Sequence, residues 1–248
     1  MRVNDRRNVY SRLWFSTFLG DVDADIVAPE VAFVEQQLPL GRYRTMLDLC
    51  CGPGRHLVPL AVDGYQVVGL DIDSDALDAA RGSVQPFHDA SFVRGDMRML
   101  PVRTSALDSV ICMWQSFGHF DEIGNRDLLA EMARVVRPGG GLLLDVYHRE
   151  FYERTQGERR IERYGLRVVE QRWMDGNRLH VGLRYEYKVG DERPVGVDEF
   201  DWQLYTPDEL IAEAEQVGWK LRKVCSGFDE SCAPSAERPR MQLVFTAG

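Results

Sequence analysis

Short apolar runs alternate with amphipathic stretches through the middle of this 248-residue chain. The run ending at Leu49 and those at 67–73, 92–97, 107–114 and 141–146 read as strands, with helices expected at 55–62, 75–81 and 126–136 between them. Strand and helix in alternation is the mark of crossover units building a parallel sheet, an α/β doubly wound fold, with Gly64 closing the first helix as a C-cap. Residues 10–40 follow a helical period and carry an aromatic stripe through Tyr10, Trp14, Phe15, Phe18 and Phe33.

From 148 to 202 the period changes. Residues 167–173 and 180–187 alternate as paired strands around Asp175-Gly176-Asn177, with a further strand at 199–204, so an antiparallel insertion is expected there. Thr206-Pro207-Asp208-Glu209 then supplies an N-cap, a proline at the first helical position and a capping box, for a helix stopping near Gly218. Strands at 219–224 and 241–246 follow. The division is therefore an N-terminal helical lid at 1–40, a core at 41–147, the insertion at 148–202, and a helix with two strands at 203–248 that completes the core sheet.

Chemistry concentrates in Leu47-Asp48-Leu49-Cys50-Cys51-Gly52-Pro53-Gly54-Arg55-His56, where a strand crosses two glycines into a helix. Glycine has no Cβ to hold a ligand away, and the turn aims free backbone N–H groups and the positive end of a helix at whatever lies above it. The next strand ends in Asp71, roughly 20 residues on, where a carboxylate can accept bonds from both ribose hydroxyls. The third strand ends in Gly95-Asp96.

This succession, from Met46 through Val146, resembles the class I S-adenosylmethionine-dependent methyltransferases, whose Rossmann-like sheet also ends in an antiparallel strand pair. The resemblance implies that Asp48, Cys50, Gly52 and Gly54 approach the methionine part of the cofactor. It implies that Asp71 holds the ribose, with Ile72 against the adenine. Asp96 then bonds the adenine amino group, with Met97, Met113 and Trp114 beside the ring. Cys50-Cys51 departs from the commoner glycine at the start of the loop.

The stretch Trp114-Gln115-Ser116-Phe117-Gly118-His119-Phe120 looks like that of small-molecule N-methyltransferases, the glycine and amino-sugar enzymes among them. That likeness implies a substrate wall of Ser116, Phe117 and His119, and N-terminal helices folding over the site with Trp14 among them. His119 is a candidate base because its ordinary pKa lies near neutrality. His148 is a second candidate at the pocket edge, and Tyr10 can orient an amine through its hydroxyl. The reading is S-adenosylmethionine-dependent N-methylation of a small amine. The alternatives are a small-molecule O-methyltransferase, a nicotinamide-dependent oxidoreductase lacking the third glycine of its fingerprint, and a non-catalytic cofactor-binding module.

A hydrophobic content of 44% and a charged content of 28% suit one globular enzyme with an insertion. The net charge of −9 argues against nucleic acid, since affinity for polyphosphate comes from clustered Lys and Arg. Runs such as Glu158-Arg159-Arg160 and Glu162-Arg163 mix both signs and read as a solvated face. No stretch is apolar enough to span a bilayer, and residues 1–7 lack a secretion signal, so a cytoplasmic location is expected. Five cysteines without Cys-x-x-Cys spacing suit reduced thiols and no structural metal. The insertion either covers the substrate or forms a contact between subunits.

Overall fold

A computed structural model describes residues 8, 10–19, 24–84, 89–187 and 194–248; the residues used to argue against a secretion signal, 1–7, lie outside it. Seven strands form one sheet: β1 (Thr45–Leu49), β2 (Gln66–Asp71), β3 (Ala90–Arg94), β4 (Leu107–Cys112), β5 (Val136–Tyr147), and, after a second sheet, β10 (Trp219–Cys225) and β11 (Arg240–Ala247). Their order is β10-β11-β5-β4-β1-β2-β3, with β11 antiparallel to both neighbours and the first five strands parallel. This is the class I methyltransferase arrangement.

Alternation along the strands feeds two apolar layers. Leu47 and Leu49 of β1 pack with Leu128, Leu129 and Met132 of α5 (Glu122–Val135) and Leu210 of α7 (Pro207–Gln216). Met46 faces the other way, onto Val34 of α2 (Ala24–Gln37), Leu60 of α3 (Leu57–Val62) and Leu77 of α4 (Ser74–Ser83). Parallel strands covered on both faces carry near-continuous apolar runs, which is why this half of the chain was the most readable. Every crossover then delivers its strand end to the same edge. α7 has the expected capping box: Glu209 N–H donates to Thr206 Oγ1 at 3.3 Å, and Thr206 N–H to Glu209 Oε2 at 2.9 Å.

The insertion is larger than its alternation announced. Four antiparallel strands, β6 (Gly157–Arg163), β7 (Leu166–Asp175), β8 (Arg178–Tyr187) and β9 (Pro194–Gln203), lie in that order, preceded by α6 (Arg149–Arg154). β6 is an edge strand as solvated as its mixed charges announced, with Glu158, Arg159, Arg160, Glu162 and Arg163 all exposed, and Arg159 and Arg163 also reach the rim of a cavity. The hairpin turns on Gly176-Asn177, with Asp175 opposite Arg178. Both ends of the insertion meet at the core, where His148 bridges Tyr205 and Arg149 N–H donates to the Tyr205 carbonyl at 3.1 Å.

At the N-terminus the helical period is broken. A single α turn, α1 (Arg12–Trp14), widens into a π turn over Phe15–Leu19 before α2 begins. The aromatic stripe is split: Tyr10, Trp14 and Phe18 pack against the second sheet, with Tyr10 stacked on Phe200 at 4.6 Å and Trp14 at 6.0 Å from that ring, whereas Phe33 is buried in the core beside Val34 and Phe228. Among the described residues no helix is long and apolar enough to cross a membrane.

Candidate active site

A cavity of about 970 Å³ opens over the carboxyl ends of β1, β2, β3 and β4 and runs on beneath the inner face of the second sheet. Its floor is the glycine turn. Cys50, Gly52 and Gly54 all take left-handed backbone, with φ of 61°, 52° and 83°, which curls the chain tightly between β1 and α3. The Gly52 N–H donates to Asp71 Oδ2 at 2.8 Å, and the Asp73 N–H to Asp71 Oδ1 at 2.9 Å. Both bonds favour the carboxylate form, yet burial outweighs them and raises the Asp71 pKa.

Asp48 sits behind this turn, 1% exposed, with Oδ2 buried and without a partner. Burial raises its pKa to about 6, although His56 and Arg55 pull the other way. Arg55 is its counterpart. The guanidinium lies 3.8 Å over the Trp114 ring, is lowered in pKa by burial, and leaves Nη1 buried and unpartnered. Two unmatched polar atoms of opposite charge on one wall call for a ligand carrying both signs.

Glu30 of α2 ties this wall together. It accepts from His56 Nε2 at 2.8 Å and from Trp114 Nε1 at 2.7 Å, and pairs with Arg240 Nη1 at 3.3 Å. Burial pushes its pKa up, but the bonds from His56 and the charge of Arg240 hold it below the ordinary value. Arg240 also pairs with the fully buried Asp145, which accepts the Trp114 N–H at 2.9 Å. That contact helps hold Trp114 and Gln115 at φ of 52° and 59°, a costly conformation for residues with side chains.

The structure puts Asp48, Cys50, Gly52, Asp71, Ile72, Asp96, Met97, Met113 and Trp114 on the wall of one cavity, and Tyr10, Trp14, Ser116 and His119 on its continuation. Asp96 is bridged by Arg98, with Nη2 2.7 Å from Oδ2. Gly54 stands off the cavity: a Cβ there would meet Ala80 Cβ at 3.1 Å, so this glycine lets the turn pack on α4. Phe117 is also displaced, 1% exposed, its ring 5.9 Å from Tyr205 in the core. Its chain direction reverses at Gly118, where φ is 103° and a Cβ would lie 2.5 Å from the Gln203 carbonyl. His148 is buried at the start of α6, outside the cavity lining, with its N–H donated to the Pro239 carbonyl at 3.0 Å.

The far half of the cavity is a chamber lined by the rings of Tyr10, Trp14, Tyr147, Tyr152, Phe200 and Trp202, with Tyr10 stacked on Phe200. Desolvation raises the pKa of Tyr10, Tyr147 and Tyr152, so their hydroxyls stay protonated at neutral pH. Burial drives His119 down to about 4, so its ring is neutral there. Sequence reasoning missed Arg55, which stood inside the glycine motif without a role, and Glu30, Asn8, Tyr147 and Trp202, whose places depend on tertiary packing.

The lining fits an adenosyl sulfonium carrying an amino-acid tail: a carboxylate at the end of β2 in Asp71, apolar flanks at Ile72 and Met97, and Asp48 Oδ2 and Arg55 Nη1 buried without hydrogen-bond partners. Residues 46–140 match the family model described as a methyltransferase domain. The chain has the fold of the class I S-adenosylmethionine-dependent methyltransferases, and its residues 46–140 carry the methyltransferase domain match. It is 34% identical over 137 residues to the cypemycin N-terminal methyltransferase of a Streptomyces species, covering 55% of each chain. Among solved structures it resembles the CcbJ methyltransferase from Streptomyces caelestis, with a TM-score of 0.78 at 19% identity, covering 91% of this chain and 90% of that one. It also resembles CalS10, an amino pentose methyltransferase from Micromonospora echinaspora, described as bound to S-adenosylmethionine: TM-score 0.69, 21% identity, 98% of this chain and 100% of that one. The chain spans about half the length of the first curated relatives it matches. The match leaves no support for the oxidoreductase alternative.

Proposed function

We propose that this protein transfers a methyl group from S-adenosylmethionine to the nitrogen of a small amine held in the ring-lined chamber. When bound, the cofactor supplies a methyl carbon on a sulfonium, open to in-line attack. The protein's part is positioning: an acceptor held at attack distance and angle gains most of its rate from lost freedom already surrendered on binding. Asp71 holds the ribose, and Asp96, Ile72, Met97, Met113 and Trp114 surround the adenine. Asp48 receives the ammonium of the amino-acid tail. Tyr10 and Trp14 close over the acceptor from the N-terminal side, and the inserted sheet closes it from the other.

The observation that carries this reading is the continuity of the two halves: the crevice over the strand ends and the aromatic chamber form one cavity walled by Ser116 and His119. Nitrogen is favoured over oxygen because the tyrosines and the histidine facing the chamber are poor bases at neutral pH: the tyrosines keep their protons and His119 is hard to protonate. A neutral amine needs no base before attack, whereas a hydroxyl does. Two of the proteins it is similar to are named for an N-terminus and an amino pentose as substrates.

Thermal midpoints with S-adenosylhomocysteine and with NAD test the cofactor: the first raises the midpoint, the second leaves it unchanged. Screening amines and phenols for release of S-adenosylhomocysteine tests the acceptor. Turnover with phenols and none with amines would overturn the nitrogen assignment.

A further inference from the structure

Asn8 fixes the proton on His119. The Asp201 N–H donates to Asn8 Oδ1 at 2.9 Å, and Asn8 Nδ2 donates to the Asp201 carbonyl at 2.8 Å. A backbone N–H only donates and a carbonyl only accepts, so the amide of Asn8 has one orientation. Its second Nδ2 hydrogen then points at His119 Nδ1, 2.9 Å away. An amide nitrogen cannot accept, so Nδ1 is bare and the ring carries its proton on Nε2. Among the described residues Nε2 has no hydrogen-bond partner, and the ring lines the chamber, 6.3 Å from Trp202.

We infer that His119 serves as a fixed Nε2–H donor to the methyl acceptor, and that the acceptor is an amine that also carries an oxygen function. This rests on the proposed amine methylation. A donor aimed at the reacting nitrogen would occupy the lone pair needed for attack on the methyl carbon. The partner of Nε2–H is therefore a second group, a hydroxyl, ether, carbonyl or carboxylate oxygen on the same small molecule. The base role expected for His119 from its neighbourhood fails on the same geometry: Nδ1 is taken by Asn8 and Nε2 already bears hydrogen. The charged groups packed around the ring, Arg178 and Asp201, pair with each other, and Arg178 Nη2 donates to the His119 carbonyl at 3.2 Å, which steadies the loop. Burial lowers the pKa of the ring, Asp201 opposes this and Arg178 adds to it, so the neutral form holds across the working range.

The tautomer is read without any ligand. In protein labelled with ¹⁵N in its histidine rings, long-range ¹H–¹⁵N spectra from pH 5.5 to 8, with His119→Phe identifying the signals, are expected to show a protonated Nε2, a bare Nδ1 and no titration. Asn8→Asp puts an acceptor where the donor was, so it should invert the tautomer and move the ring's titration toward neutrality. A protonated Nδ1 in the wild type, an imidazolium near pH 7, or an unchanged tautomer in Asn8→Asp would each overturn the assignment. The oxygen is tested by calorimetry with S-adenosylhomocysteine present, using cyclohexylamine and trans-2-aminocyclohexanol as probes. The amino alcohol should bind about 10-fold tighter, with the difference lost in His119→Phe and partly kept in His119→Gln. Equal binding to the wild type would overturn the donor's role. Binding of neither probe would count against the amine reading itself, while the spectra decide the tautomer on their own.

Discussion

Replacing Asp48 by Asn should make the ligand-free protein more stable at neutral pH and worse at its task. The carboxyl is 1% exposed, and burial raises its pKa from 3.8 to about 6. A raised carboxyl binds its proton more tightly in the folded chain than in the unfolded one. Stability therefore falls as pH climbs from about 4 to about 6, and the loss is complete above that window. A gap of that size amounts to about 3 kcal/mol at pH 8. Asparagine keeps an oxygen for the Leu57 N–H that Asp48 accepts but exchanges a charge for an amide that is itself incompletely bonded, so a gain of about 1–3 kcal/mol is expected. For a chain of this size each kcal/mol moves Tm by roughly 2–4 °C. Scanning calorimetry of wild type and Asp48→Asn between pH 4.5 and 8 should show the curves together at the acid end and apart at the alkaline end, with S-adenosylhomocysteine stabilising the wild type more. A variant less stable than the wild type at pH 8, or a gap indifferent to pH, would refute the account of Asp48 as a buried charge awaiting a partner.

With Asp71 holding the ribose as proposed, Asp71→Ala removes those acceptors and orphans the Gly52 N–H, so calorimetry should find S-adenosylhomocysteine binding weakened by about 100-fold, each charge-assisted bond contributing about 1.5–3 kcal/mol. Phe117→Ala should lower stability by about 3–5 kcal/mol in denaturant titration with cofactor affinity nearly unchanged, because the ring fills core and not chamber. Gly118→Ala should cost about 1–3 kcal/mol by the same titration, since it forces a side chain into left-handed backbone against the Gln203 carbonyl.

The parallel half of the fold was legible because its strands are buried on both faces and its turns sit where glycine and acid are needed. The run ending at Leu49 and those at 67–73 and 107–114 became β1, β2 and β4, the last two stopping two residues early at Asp71 and Cys112, and the wall at Asp48, Gly52, Asp71 and Asp96 follows from strand ends sharing an edge. The insertion was only half legible. β7 and β8 alternate apolar with polar, but β6 has Ile161 alone against the apolar layer among exposed charges, too little alternation to announce a strand. Phe117 and Gly54 were misplaced for a related reason: a motif gives the order of residues, whereas the sign of φ at Gly118 and the nearness of Ala80 decide which way they face. Asn8 could not be found from sequence at all, since its partners stand 111 and 193 residues away.

The chain leaves the core after Tyr147 and returns at Tyr205, and the two exits touch through the His148–Tyr205 bridge. A loop whose ends already meet imposes no spacing on what lies between them, so the strand register of the core does not depend on the length of the intervening segment, although Arg178 and Gln203 within it hold the loop at 118–120. The segment between those points can therefore vary as one piece, and on the proposed function it carries the roof over the acceptor while the proposed donor floor stays with the parallel sheet. Grafting the corresponding segment of a relative between those two points is thus the most direct route to changing what the protein accepts.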